Sequence, residues 1–380
     1  MKPLNDIFRN NRNFSEIIEN YDWNEIEEKI NTVNSSDVTT VLNSDRLNEN
    51  DFMVLLSPIA ANFLEKFAQI SKAKTQKRFG KTIQLYIPLY LSNHCHNNCI
   101  YCGFNAKNKI ERIVLNDNEI EQEIAVIKKM GYEHILLVTG DAPNKAGIDY
   151  LVNAIKLAKP HFASISAEIQ PLETEEYKKL IEVGLNTIYI YQETYSKKNY
   201  NIYHPKGKKS NYQFRLETPE RLGNAGIHKI GLGVLLGLEN WRVEVFYLGL
   251  HLRYLQKYFW RTKYSISFPR IRPHFGGFQP NFPISDKELA QLIWAFRIFD
   301  EDVELALSTR ESVNFRNNLL TLGITSMSAG SKTEPGGYAK NIDELEQFEV
   351  NDSRSAIELE KEINKQGYFA IWKDWDKNFL

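Results

Sequence analysis

The 380-residue chain contains three cysteines, Cys95, Cys99 and Cys102, and all of them fall within eight positions of the run HCHNNCIYCGF. An odd, crowded set of thiols does not read as a disulfide framework; it reads as metal binding. Three thiolates on one tight loop can each hold one iron of a 4Fe-4S cube, which leaves the fourth iron without a protein ligand. An open iron can accept the amino and carboxylate groups of a small molecule, whereas electron-transfer clusters usually have every iron ligated. The competing interpretation is a structural zinc ion with His94 or His96 as the fourth ligand. Zinc sites, however, usually pair two C-x2-C knuckles across a longer span, and this chain has no second pair. Tyr101, just before the third cysteine, suits an aromatic ring packed against a bound base.

A loop of this kind needs a rigid frame. From Ile83 onward short β-branched or aromatic runs alternate with amphipathic stretches of ten to twenty residues. The runs are 84–91, 134–139, 164–169, 187–192, 230–236, 264–268, 303–308 and 324–329. Eight near-continuous apolar strands alternating with helices predict a parallel (β/α)8 TIM-type barrel, with an open doubly wound sheet as the rival. The cysteine loop then follows the first strand. Residues 1–80 read as a helical extension, with Ser57-Pro58 as an N-cap followed by proline at N1. The barrel occupies 81–340, and 341–380 form a tail over one of its ends. The basic run HPKGKKSNY (204–212) reads as a solvated loop, with docking of an electron donor as the alternative.

Lys and Arg total 47 against 48 Asp and Glu, so no overall field draws the chain to nucleic acid or to an anionic membrane. The N-terminus has no apolar signal core and no stretch approaches the roughly 20 apolar residues of a membrane span, so a cytoplasmic location is expected.

The C-x3-C-x2-C motif with its aromatic residue resembles the radical S-adenosylmethionine superfamily. More narrowly, YIPLYLSNHCHNNCIYCGF, LLVTGDA, AEIQPL, YQETY, RLETPERLGNAGIHKIGLGVLLGL, SFPRIRP, LSTRES and SAGSKTEPGGY are similar, in unbroken order, to the tyrosine lyases of thiamine biosynthesis, over about Ser57 to Trp375. That resemblance implies a 4Fe-4S cluster held by the three cysteines and S-adenosylmethionine on the open iron. It implies cleavage of the Cα–Cβ bond of L-tyrosine by a 5′-deoxyadenosyl radical, giving p-cresol and 2-iminoacetate (dehydroglycine). It also implies a thiazole synthase as protein partner and a low-potential electron donor such as flavodoxin or ferredoxin. A related lyase, the hydrogenase maturase, carries a second cluster on a C-terminal cysteine pair; this chain has no cysteine after Cys102. The alternatives are a radical enzyme acting on another aromatic amino acid and a zinc-stabilised binding module.

Residue by residue, the resemblance places Thr139, Gly140 and Asp141 at the methionyl amino group of S-adenosylmethionine. Glu168 falls near its ribose or amino group, and Glu193 at the ribose hydroxyls. Arg215, in a Y-x-x-R-L element, falls at the methionyl carboxylate, since a planar guanidinium binds a carboxylate through two parallel bonds. Arg221 is the weaker alternative, expected to be solvated. Arg310 is the first candidate for the tyrosine carboxylate, with Ser328 or Ser331 as neighbours. Arg270 and Arg272 rank second, and Glu311 could instead pair with one of these arginines.

Overall fold

All eight apolar runs form strands, and every pairing between them is parallel. In the computed structural model, which describes residues 13–273, 277–339 and 347–373, they are β1 (Thr82–Ser92), β2 (His134–Thr139), β3 (Ser164–Glu168), β4 (Thr187–Tyr189), β5 (Lys229–Gly233), β6 (Lys263–Ser267), β7 (Glu304–Leu307) and β8 (Ser326–Ser328). Each strand pairs with the next, and β1 pairs with both β2 and β8, so the sheet closes. Closure excludes the open doubly wound sheet. The alternation along β1 shows how such runs serve two faces: Leu85, Ile87 and Leu89 are fully buried in the main core, while Tyr86, Pro88 and Tyr90 line an interior cavity.

A ninth strand, β9 (Phe369–Ile371), was not legible in the sequence; it pairs with Thr82–Gln84 at the start of β1. The helix Ala356–Lys365 precedes it. The acidic part of the tail at 341–346 and most of its aromatic run, from 374 on, lie outside the described residues. Asp352, fully buried, receives Arg316 from the barrel and Arg354 from its own segment, which ties that segment down.

The N-terminal helices pack on the barrel's outer helices. Phe52 stacks on Phe299 at 4.2 Å and Phe14 on His251 at 3.9 Å. The reading of Ser57-Pro58 as a helix start is corrected. Ser57 ends the helix Glu49–Leu56, its hydroxyl donating to Val54 O at 2.7 Å, and Pro58 leads into a 3-10 turn, Ile59–Phe63, before the helix Leu64–Phe79. Gln291 donates to the Ser57 carbonyl at 2.9 Å, so a tertiary contact holds the break that local sequence reads as a cap. Among the described residues no helix is long and apolar enough to cross a membrane.

Candidate active site

A cavity of about 220 Å³ opens where the strands end. Along one wall stand Cys95, Cys99, Cys102 and Tyr101; Thr139, Gly140 and Asp141 come from the end of β2, and Glu168 from the end of β3. Glu193, Arg215, Arg272, Arg310, Ser328 and Ser331 complete the set that the sequence singled out. Arg270 does not line the cavity. Neither His94 nor His96 faces it with the cysteines, and among the described residues no three His, Cys, Asp or Glu side chains are arranged to hold one metal ion.

The cysteine loop is pinned from three sides. A register shift in β1 between Tyr90 and Ser92 re-aims the chain as it leaves the sheet. Arg112 then staples the loop, donating to the carbonyls of Asn93 (2.7 Å), Phe104 (2.9 Å), Asn105 (2.7 Å) and Asn108 (3.2 Å). The third anchor is the end of β2: His96 N donates to Asp141 O at 2.8 Å, and Asn97 Nδ2 donates to the Asp141 carboxylate at 2.8 Å. Gly140 is needed for this approach, because a Cβ there would fall on the His94 carbonyl oxygen and press on Cys95. Overpacking at backbone contact costs about 1–3 kcal/mol. Gly140→Ala is therefore expected to displace the loop and lower the iron and sulfide retained per chain after reconstitution, against an unchanged far-UV circular dichroism spectrum.

The basic run 204–212 is not simply a solvated loop. Asn98 N donates to Lys206 O (2.9 Å) and Ile100 N to Tyr203 O (3.1 Å), so this segment buttresses the cysteine loop. Gly207, at φ 104°, lies so close to Asn97 that no side chain fits. Lys209 turns into the cavity, donating to Glu193 Oε1 at 2.6 Å with its ammonium 5.6 Å from the centre of the Tyr101 ring. His204 is fully buried, and its Nδ1 is 2.8 Å from the Tyr200 carbonyl, which can only accept. That fixes the proton on Nδ1 and leaves Nε2 to accept from the Tyr101 hydroxyl at 2.7 Å. Burial, reinforced by Lys209, pushes the imidazole pKa down to about 3, so it stays neutral.

Glu193 is the one non-glycine residue with positive φ among the described residues, at 67°. Glu244, on the helix Trp241–Tyr258, secures that turn by accepting from Tyr195 N at 2.7 Å and from the Thr194 hydroxyl. Burial works to raise the Glu193 pKa, but Lys209 and Arg215 outweigh it and hold the carboxylate below its usual range. Arg215 Nε donates to Tyr191 O at 2.6 Å. Arg221, expected in solvent, instead donates to the carbonyls of Leu172 (3.0 Å) and Phe214 (2.5 Å) and stacks on Phe214; it holds the helix rather than a ligand.

The arginines after the later strands divide sharply. Arg270 pairs with Glu311 and with Asp286 (2.8 Å) and donates to Ile284 O, and Arg272 pairs with the same Glu311 at 2.8 Å. Arg310 makes no ion pair among the described residues. Its guanidinium lies over the Phe348 ring, 3.3 Å from the ring centre, and burial lowers its pKa against the pull of Tyr90 and Glu168. Ser331 Oγ is buried without a hydrogen-bond partner among the described residues, as is one Asp141 carboxylate oxygen, Oδ1. Ser328 Oγ accepts from Thr309 N at 3.2 Å.

Burial also shapes the thiols, raising Cys99 to about 12 and Cys102 above its ordinary value. Sequence reasoning missed Lys209, Arg112, Gln347 and Phe348. Lys209 carried a signal in the basic run; Gln347, which donates to Cys102 Sγ at 3.8 Å, carried none.

The family model described as the radical SAM superfamily matches residues 89–247, and that described as the Biotin and Thiamin Synthesis associated domain matches 267–369. The chain is 46% identical over 366 residues to the 2-iminoacetate synthase of Escherichia coli (strain K12), covering 96% of this chain and 97% of that protein. It is 46% identical over 356 residues to the 2-iminoacetate synthase of Salmonella typhimurium, covering 93% and 94%. The crystal structure of HydG, a maturase of the [FeFe]-hydrogenase, superposes with a TM-score of 0.88 at 31% identity, covering 92% of this chain and 79% of that one.

Proposed function

We infer, because the chain belongs to the 2-iminoacetate synthase family of radical S-adenosylmethionine enzymes, that this cavity is where L-tyrosine is cleaved between Cα and Cβ to 2-iminoacetate and p-cresol for thiazole formation in thiamine biosynthesis. One observation carries the reading at the level of the site. A single cavity has three thiols on the loop after β1 and, on the loop after β7, a guanidinium with no acid partner among the described residues. The first fits a cluster whose irons are held one per sulfur, with one corner open; the second fits an amino-acid carboxylate. When bound, cluster and S-adenosylmethionine together supply a carbon-centred radical able to take a hydrogen atom. Every other task falls to the chain.

Cys95, Cys99 and Cys102 hold the cluster in this proposal. Asp141, with an unfilled oxygen, receives the methionyl ammonium beside Thr139 and Gly140. Arg215 takes the methionyl carboxylate, Glu193 the ribose hydroxyls, and Tyr101 packs against the adenine. Arg310 binds the tyrosine carboxylate with Ser331 and Ser328. Arg270, committed to Glu311 and Asp286, braces that wall, and Arg272 stands beside it at the cavity edge. Lys209 pairs with Glu193 beside Tyr101 and so offsets its charge. Enclosure keeps water from the radical, and orientation selects one hydrogen among many.

A thiazole synthase as the acceptor of the readily hydrolysed 2-iminoacetate, a flavodoxin or ferredoxin as electron donor, and a cytoplasmic setting complete the proposal. The deciding experiment is anaerobic incubation of reconstituted protein with reductant, S-adenosylmethionine and L-tyrosine. p-Cresol and 5′-deoxyadenosine are expected together; 5′-deoxyadenosine without p-cresol would keep the superfamily and reject the substrate.

A further inference from the structure

Among the carboxylates that line the cavity, one has no partner. Glu193 is taken by Lys209 and Arg215, and one oxygen of Asp141 by Asn97. Glu311, behind the wall, is shared by Arg270 and Arg272. Glu168 lines the cavity, yet its carboxylate makes no hydrogen bond or ion pair among the described residues. It is the last residue of β3, where Ser164, Ser166 and Glu168 share one face of the strand while Ile165 and Ala167 pack into the outer core. An unpartnered carboxylate in such a place is costly, and a bound cation would relieve the cost.

Its electrostatic surroundings say which cation. From the end of β4, Glu193 opposes its charge; Arg310 beyond β7 is the first group that favours it, ahead of Lys209 and Arg215. Tyr86 and Tyr90 on β1 and Tyr189 and Tyr191 on and just after β4 couple to the same carboxylate as neutral phenols. Arg310 is also the proposed seat of the tyrosine carboxylate. In an α-amino acid a single carbon separates the carboxylate from the ammonium. A tyrosine anchored on Arg310 therefore holds its ammonium within the same cavity that Glu168 lines.

We propose that Glu168 takes a proton from the ammonium of bound L-tyrosine, so that the substrate meets the radical as a neutral amine; this rests on the tyrosine-lyase reading above. In the step one N–H bond breaks and its electron pair stays on nitrogen. An O–H bond forms on the Glu168 carboxylate, and a cation and an anion become two neutral groups. No oxidant or reductant is consumed. Burial favours the same direction on both partners, since desolvation destabilises the ammonium as well as the carboxylate. Burial, with Glu193 adding to it, raises the Glu168 pKa to about 7, near the range in which a general base works best. Glu168 thus belongs to the substrate rather than to the ribose or amino group of S-adenosylmethionine, for which Glu193 and Asp141 suffice.

The test is the pH dependence of p-cresol formation by reconstituted wild-type and Glu168→Gln protein, with S-adenosylmethionine affinity measured on each. Wild-type kcat/KM is expected to fall about tenfold per pH unit below about 7, as the carboxylate protonates. Glu168→Gln is expected to lose about 10²–10⁴-fold near neutrality, the usual worth of a positioned base, and to regain about tenfold per unit as the pH climbs toward the pKa of the free substrate amine. Its S-adenosylmethionine affinity is expected to match wild type. Glu168→Asp, which keeps the carboxyl group at shorter reach, is expected to keep the wild-type acid limb at a reduced rate. A Gln variant with the wild-type pH profile, a loss that is flat with pH, or weakened S-adenosylmethionine binding would each overturn the assignment. Wild-type protein that makes no p-cresol would instead overturn the tyrosine reading, and this inference with it.

Discussion

Cys99→Ala is expected to abolish p-cresol and 5′-deoxyadenosine formation together and to strip most of the iron that reconstitution adds. Cys99 is the most buried of the three thiols, 6% exposed, and its neighbours Asn98 and Ile100 are tied by backbone hydrogen bonds to Lys206 and Tyr203. No histidine lines the cavity beside it: neither His94 nor His96 faces the cavity, and His204 is neutral and committed to Tyr101 and Tyr200. The fold itself should survive, because the loop is held by Arg112 and Asn97 independently of any metal. Iron and sulfide analysis, the visible absorbance of an anaerobic preparation and a thermal melt read the three consequences separately. A variant that keeps turnover, or a wild-type chain that binds one zinc ion in place of iron and sulfide, would end the radical reading.

Arg310→Gln is expected to lower kcat/KM for L-tyrosine by roughly 30- to 3,000-fold. Removing one partner of a desolvated charge pair costs about 2–5 kcal/mol, and each 1.4 kcal/mol is a factor of ten. The loss should appear mainly in KM, because the carboxylate is bound in ground state and transition state alike. Affinity for S-adenosylmethionine should stay unchanged, since Arg215 and Asp141 are proposed to hold that ligand. Arg310→Lys is expected to fall between the two: the charge remains but the planar fork, which here lies over Phe348, is lost. Equal loss for both ligands would place Arg310 in the structural wall beside Arg270 rather than on the substrate.

How much of this was legible beforehand depended on whether the signal was local. Short apolar runs found all eight barrel strands, because a strand covered on both faces is mostly apolar, and that is written in consecutive residues. They overran β4 and β5, where the chain continues extended beyond the ladder into the loops that carry Glu193 and Val234. The 204–212 run misled for a related reason: its lysines look alike in sequence, and only the close approach of Gly207 to Asn97 turns Lys209 inward. Arg221 looked like a surface residue because nothing in its neighbourhood announces the carbonyls of Leu172 and Phe214.

By itself the amino-acid sequence determined the eight strands alternating with helices, the position of the thiol loop after the first of them, and the set of polar residues at the strand ends, since each follows from residue type and spacing along a few neighbouring positions. Only the tertiary structure decided that the sheet closes and which arginine has no acid partner among the described residues. Arg270, Arg272 and Arg310 are equivalent as residue types, and they separate once Glu311 and Asp286, brought close by folding, pair with the first two while Arg310 has no acid partner among the described residues. The same holds for Glu168 beside Glu193: a charge's role depends on what surrounds it in space, and that partnering joins residues dozens of positions apart.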